Sequence, residues 1–253
     1  MKSLLNVVLV CLALCAFRGA AAAEDMVSET RTIDARVTRV KLDGVIELRL
    51  RQGPVPSLTI RAERRLLSRI TSTQSGDTLH IESDGHGFTL GRAGARAELV
   101  LPALRGLSSD GLGGSDVSGF TGDELELSLD GAGTMKVVCD YKRLHANLGG
   151  VGNMHIWLSD NERTDLDLSG AGYIVLGGRS KALRVDLGGL GGLDARQFQA
   201  DSVNLEMSGL GNASINARQN ATVNLSGLGS VTVYGRPSNR NVSVDGLGRV
   251  SWK

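Results

Sequence analysis

Cysteine is scarce in this 253-residue chain, at three residues, proline stands at four, and aromatic side chains make up only 4 %. Cys11 and Cys15 fall in an apolar leader, which leaves Cys139 without a partner. No intramolecular disulfide can therefore brace the fold, and Cys139 reads as a small buried apolar residue rather than a nucleophile. An excess of one charge is missing too. With 28 basic against 27 acidic residues the net charge is +1, which excludes the electrostatic footprint of a nucleic-acid binder. The four histidines, His80, His86, His145 and His155, show no metal-ligand spacing, so no metal and no cofactor is expected. Glycine is what abounds: 34 residues, nearly twice the usual ~7 %. It lacks the three-residue period of collagen, and a hydrophobic content of 41 % is too high for a disordered chain. Much glycine with little aromatic mass suits many tight turns around a thin aliphatic core.

Residues 1–23, ending in Ala21-Ala22-Ala23, have the layout of a secretory signal peptide. Lys2 gives a positive start, and Leu4 to Phe17 is apolar apart from Asn6. Those fourteen residues are short of the ~20 that span a bilayer. No integral membrane segment is therefore expected after cleavage. Leu12-Ala13-Leu14-Cys15 resembles a bacterial lipobox, but Leu14 stands where a small residue belongs, so cleavage after Ala23 is the expectation. The mature chain, 24–253, is read as a single exported domain, in the periplasm or at the cell surface, with irregular first coils over 24–106 and a regular repeat over 107–253.

That repeat is the dominant signal. Gly-x-Gly recurs eight times, at Gly111 and Gly113, Gly131 and Gly133, Gly150 and Gly152, Gly170 and Gly172, Gly189 and Gly191, Gly209 and Gly211, Gly227 and Gly229, and Gly246 and Gly248. Successive first glycines are 20, 19, 20, 19, 20, 18 and 19 residues apart, and the central residue is always Leu, Ala or Val. Counting the first glycine as zero, position −2 carries Leu129, Leu148, Leu168, Leu187, Met207, Leu225 and Val244, and position −4 is equally apolar. Between them, −3 is polar. Positions +4 and +6 are apolar again, with Ser115 the exception at +4. Such alternation is the signature of half-buried strands.

A unit of about 19 residues with one apolar side must stack on its neighbours to bury it. Either each unit is a full coil of a parallel β-helix, or each is a hairpin folded at the Gly-x-Gly. The constant offsets and the absence of Asn-Gly or Asp-Gly turns favour the parallel β-helix, an all-β solenoid. Glycine at a corner meets a need for positive φ or close backbone approach, and the apolar residue between the glycines is expected to point inward and fill the corner. Upstream, Val45–Leu50, Leu58–Ile60, Leu79–Ile81 and Glu98–Leu101 read as strands and Ala62 to Ile70 as one short helix. At the other end Trp252 is placed to plug the stack or meet a partner.

The chain resembles the bacterial family of putative auto-transporter adhesins with a head GIN domain. The resemblance is carried by Lys41-Leu42-Asp43-Gly44-Val45-Ile46-Glu47-Leu48, Gly76-Asp77-Thr78-Leu79-His80-Ile81, and the repeats Ser208 to Ala213 and Ser226 to Val231. It implies a right-handed parallel β-helix in an exported protein, and it brings no catalytic residues to transfer.

The most specific candidate chemistry is acidic. Asp167, Asp186 and Glu206 share position −3 in three consecutive units, and Asp165 lies two residues before Asp167. Stacked ~4.8 Å apart, such carboxylates repel by roughly 1 kcal/mol per neighbouring pair in water. They would form either a solvated polar face or a cation- or ligand-binding column. Gly113-Gly114-Ser115-Asp116 and Gly191-Gly192-Leu193-Asp194 only faintly match a calcium repeat. Tyr173 and Trp157 are the residues best suited to stack on a sugar. The functional expectation is a non-enzymatic, adhesin-like binding module, its partner a glycan or protein at the cell surface, with self-association through its end coils as a further capacity. The alternatives are a β-helix polysaccharide lyase or hydrolase using the acids, and an envelope-sensing accessory protein.

Overall fold

A computed structural model describes residues 26–84 and 94–253; the leader and His86 lie outside them. Nearly all of it is strand. The N-terminal part contains β1 (Met26–Arg31), β2 (Arg39–Asp43), β3 (Ile46–Gln52), β4 (Ser57–Glu63), the single-turn α1 (Arg64–Leu67), β5 (Ile70–Ser75), β6 (Thr78–Ser83), β7 (Ala95–Leu101) and β8 (Gly106–Ser109). The repeats supply β9 (Leu112–Leu129), β10 (Ala132–Leu148), β11 (Val151–Leu168), β12 (Ala171–Leu187), β13 (Leu190–Met207) and β14 (Leu210–Leu225). The last turns are β15 (Leu228–Tyr234), β16 (Asn239–Val244) and β17 (Arg249–Trp252).

Each repeat strand wraps almost a whole turn and pairs in parallel with the one before and the one after. The Gly-x-Gly units align: Leu112 pairs with Ala132, Ala132 with Val151, Val151 with Ala171, and so on to Leu228. The parallel register excludes the hairpin geometry, in which neighbours would run antiparallel. Eight corners bound seven full turns of a β-solenoid, about 34 Å of stack at ~4.8 Å per turn. Where the turn changes direction midway the register slips, as between Val138 and Cys139 or between Trp157 and Asp160.

Positions −4, −2, +4 and +6 face inward. Leu148, Met154, Ile174, Leu176, Leu193, Leu205, Val223 and Val233 are wholly buried, each aliphatic side chain contributing roughly 1.5–3 kcal/mol. Ser115 breaks the pattern. It is buried and its Oγ has no hydrogen-bond partner, a desolvated hydroxyl that costs more than it returns. Ser115→Ala should therefore raise stability by about 1 kcal/mol, read as a higher urea midpoint at unchanged m-value.

The corner glycines are explained by close approach far more than by φ. A Cβ on Gly131, Gly150, Gly170, Gly189, Gly209 or Gly227 would strike the carbonyl oxygen of the corresponding glycine one turn earlier. From Ser109 to Met207 the −2 carbonyl accepts two N–H groups from the next turn: Leu129 O takes those of Gly149 and Gly150, both at 3.1 Å. Tight stacking satisfies the corner backbone, and a side chain directed along the stack axis would forbid it.

The N-terminal region continues the stack, out of sequence order. The turn β2–β3 lies between β6–β7 on one side and β8–β9 on the other, parallel to both. Gly44-Val45-Ile46 is consequently one more corner: Leu112 N–H donates to Gly44 O at 2.7 Å, and Gly44 itself has φ +86°. Among the described residues antiparallel pairings occur only in this cap, β1 with β4, β4 with β7 and β5 with β6. The expected helix is present but shortened to α1. At the far end Trp252 and Val250 pack half-buried against the core edge, with the Arg240 guanidinium 4.5 Å over the Trp252 ring, while Val242 and Val244 remain exposed.

Candidate binding face

The acids stack as their spacing suggests. Asn147, Asp167, Asp186, Glu206 and Asn224 are successive register neighbours, and the three carboxylates are half-exposed. Asp165 belongs to the adjacent column, between His145 and Arg184. Its carboxylate is clamped by Arg163 through bonds of 2.8 and 2.9 Å, and the His145 Nε2 lies 3.8 Å from Asp167. The described concavities of the surface do not include any of these four acids. They stand on an open flank. Among the described residues no group of three His, Cys, Asp or Glu side chains is arranged to hold a metal ion. Asp194, from the calcium-like segment, is bound instead by Arg196 at 2.6 and 2.9 Å, which holds its carboxyl below the usual range. Burial raises the Cys139 thiol to about 12, so it stays protonated and unreactive.

Polar ladders cover much of the remaining flank. Asn220 donates to Ser202 Oγ at 2.8 Å, Asn239 to Asn220 Oδ1 at 2.7 Å, and Ser230 to Asn212 Oδ1 at 2.7 Å. Asn212 and Asn220, each the first residue of an Asn-x-Ser/Thr triplet, thus sit where outward polar side chains bond from turn to turn. Opposite charges also meet across turns, as Lys142 with Asp123 at 2.7 Å and Arg218 with Asp201 at 3.2 Å.

One expectation is corrected outright. The residues between the paired glycines point outward, not inward. Val151 is 63 % exposed, Leu190 56 %, and Leu112, Leu210 and Leu228 are similarly exposed. Together with Ala132 and Ala171 they form a straight apolar ridge one residue wide along the solenoid. Strand parity explains it, since +1 shares its parity with the polar −3 position and the glycines at 0 and +2 share theirs with the core. That signal was present in the sequence and was masked by the hydrophobicity of the residues. On the central ridge the flanking outward positions carry no charge: Gly149, Ser169, Gly188, Ser208 and Ser226 on one side, and Asn153, Tyr173, Gly192, Asn212 and Ser230 on the other. Trp157 and Tyr173 are exposed on this same face, at +7 and +3.

Comparison with known proteins agrees with the fold. A family model described as "Putative auto-transporter adhesin, head GIN domain" matches residues 36–159 and 156–237. No curated protein sequence matches the chain. Among solved structures, a "putative adhesin" from Bacteroides fragilis NCTC 9343 superposes with a TM-score of 0.70 at 18 % identity, covering 91 % of this chain and 98 % of that one. A "putative adhesin" from Parabacteroides merdae ATCC 43184 gives 0.73 at 20 %, covering 90 % and 96 %. A "Putative lipid binding protein" from Parabacteroides distasonis ATCC 8503 gives 0.77 at 18 %, also covering 90 % and 96 %. At these identities the likeness concerns the fold alone.

Proposed function

Because this chain belongs to the family of putative auto-transporter adhesins with a head GIN domain, we propose that it is an exported, non-enzymatic binding module that meets its partner along the open flank of the solenoid, in the periplasm or at the cell surface. The observation that carries this reading is the in-register apolar ridge from Leu112 to Leu228, exposed along the solenoid. Contiguous apolar surface on a soluble protein marks an interaction site. An acid–base pair for glycoside cleavage works in a groove that holds the chain across it, whereas Asp167, Asp186 and Glu206 are half-exposed and follow one another along the stack. The similar structure described as a lipid binding protein gives the ridge a second reading, contact with acyl chains.

The test is a binding assay on isolated cell envelopes joined to a reducing-sugar assay on a polysaccharide panel. Saturable binding is expected, weakened at least tenfold by Leu190→Glu with Leu210→Glu, and no reducing ends should be released. Loss of a tenfold factor corresponds to about 1.4 kcal/mol, modest for two apolar contacts. Release of reducing ends that disappears in Asp186→Asn would overturn the proposal in favour of an enzyme. Binding that follows phosphatidylcholine vesicles alone would assign the ridge to lipid.

A further inference from the structure

Outside the Gly-x-Gly corners, Gly177 faces an aromatic side chain of the neighbouring turn rather than its backbone, and Gly192 leaves room beside Tyr173 although the backbone oxygen of Asn212 lies nearer. Trp157 on β11 pairs in register with Gly177 on β12, and Tyr173 on β12 with Gly192 on β13. A Cβ on Gly177 would lie 2.5 Å from Trp157 Cε2, 2.6 Å from Cζ2 and 2.8 Å from Cδ2. Cε2 and Cδ2 are the fusion atoms of the indole and are shielded in the ring plane. A point nearly equidistant from them lies over the face, so the indole rests flat on the bare backbone of the next turn. Tyr173 leans the same way, its Cε2 3.0 Å from where a Cβ of Gly192 would sit. Both rings remain about 40 % exposed, Trp157 at 44 % and Tyr173 at 40 %. One broad indole face is therefore held against the sheet and the other is left to solvent.

We propose that Trp157 and Tyr173 form a platform for a linear, neutral oligosaccharide, which names the ligand class of the binding module and rests on that reading. The C–H bonds on one face of a pyranose carry partial positive charge and fit the negative face of an aromatic ring. The two supporting glycines are offset by one turn and four residues, so the rings are separated by roughly 14 Å at ~4.8 Å per turn and ~3.3 Å per residue. That is the reach of an oligosaccharide rather than of a single sugar. Hydroxyl partners lie along the same path: the Asp194–Arg196 pair in the turn under Tyr173, and Gln197 and Gln199 in a polar concavity of about 430 Å³ beside Gly178. Arg196 is already matched to Asp194 at 2.6 Å and Arg179 to Asp160 at 3.7 Å, so the site has no free charge for an acidic glycan. An acyl chain laid along the same line would have to desolvate the Asp194–Arg196 pair without repaying it, whereas sugar hydroxyls can hydrogen-bond to it.

The full chain is titrated calorimetrically with cellohexaose, xylohexaose, mannohexaose and chitohexaose, each up to millimolar concentration. At least one is expected to bind. Trp157→Ala should weaken that binding about tenfold and Tyr173→Ala about fivefold, with Trp157→Phe recovering part of the loss. Val55→Ala, at an exposed position in the N-terminal cap, should leave it unchanged and serves as the control. No binding by any of the four, or binding that both aromatic variants retain, overturns the platform. Phosphatidylcholine vesicle binding that is lost in Trp157→Ala also overturns it and transfers the face to lipid. The outcomes separate the two levels of the argument: absence of sugar binding with ridge-dependent envelope binding intact removes only the platform, and sugar release would remove the non-enzymatic reading while leaving the platform.

Discussion

Gly170→Ala is expected to destabilise the solenoid by about 3–5 kcal/mol. The new methyl would enter the space of Gly150 O and of the Gly149 carbonyl. Both are backbone atoms held at the corner: Gly150 O accepts from Ala171 N–H at 2.9 Å, and the chain entering Gly149 is tied by Leu148 O, which accepts from Ser169 N–H at 3.2 Å and Gly170 N–H at 3.1 Å. No side chain can swing aside, so the two turns must part and the corner bonds lengthen or break. Overpacking a flexible core typically costs 1–3 kcal/mol; a clash with rigid backbone on the stack axis belongs above that range. Gly188→Ala is the control. It lies one residue from a corner, yet the nearest atom to its new Cβ would be Ser208 Oγ at 3.8 Å. That variant should be neutral or gain a few tenths of a kcal/mol from a stiffer unfolded chain. Urea denaturation compares the pair. Because a solenoid need not unfold as one unit, hydrogen exchange at Ala171 N–H gives the local readout. Equal stability of the two variants would show that the corners do not stack as closely as described.

Asn161→Leu should cost about 3 kcal/mol. Asn161 is buried in the aliphatic core, where its Nδ2 donates to Tyr141 O at 2.8 Å and its Oδ1 accepts from Thr164 Oγ1 and Ser180 Oγ, both at 2.9 Å. Removing the amide leaves a buried carbonyl and a wholly buried threonine hydroxyl unpaired, and an orphaned buried polar group costs about 1–3 kcal/mol. Ser180 can turn its one hydroxyl hydrogen to Ala182 O at 2.9 Å and is affected least. Adding Thr164→Val removes one orphan together with its partner. The double variant should therefore be more stable than Asn161→Leu alone, by about 1 kcal/mol. Thermal unfolding of the single and double variants provides the check, and simple additivity of the two losses would count against a shared network.

Much of the architecture was legible in the sequence because a solenoid has local grammar. Each turn repeats the same offsets, so −2 and +4 are apolar in every unit after the first, which has Ser109 and Ser115 there, and the parallel stack follows from the need to bury them. The acid column was legible for the same reason, since Asp167, Asp186 and Glu206 hold one offset and a constant offset becomes a vertical column. The extra corner at Gly44 was not. Ile46 stands where the second glycine would be, and β2–β3 enters the stack between turns that come later in the chain, an order that only long-range pairing sets. The Asn161 network was hidden too: Thr164 stands in the otherwise apolar column of Leu144 and Leu183, and Asn161 pairs in register with Ser180, but nothing local shows that these polar side chains turn inward to meet one another.

The amino-acid sequence alone determined the period, the inward columns, the glycine corners and the outward polar ladders, because neighbouring turns impose the same local demand on every unit. Tertiary structure decided where the first turn enters the stack and that Trp157 lies flat on Gly177. Those outcomes depend on atoms about twenty or more positions apart being pressed to within a few ångströms, and no local pattern records which face of a side chain the next turn will support.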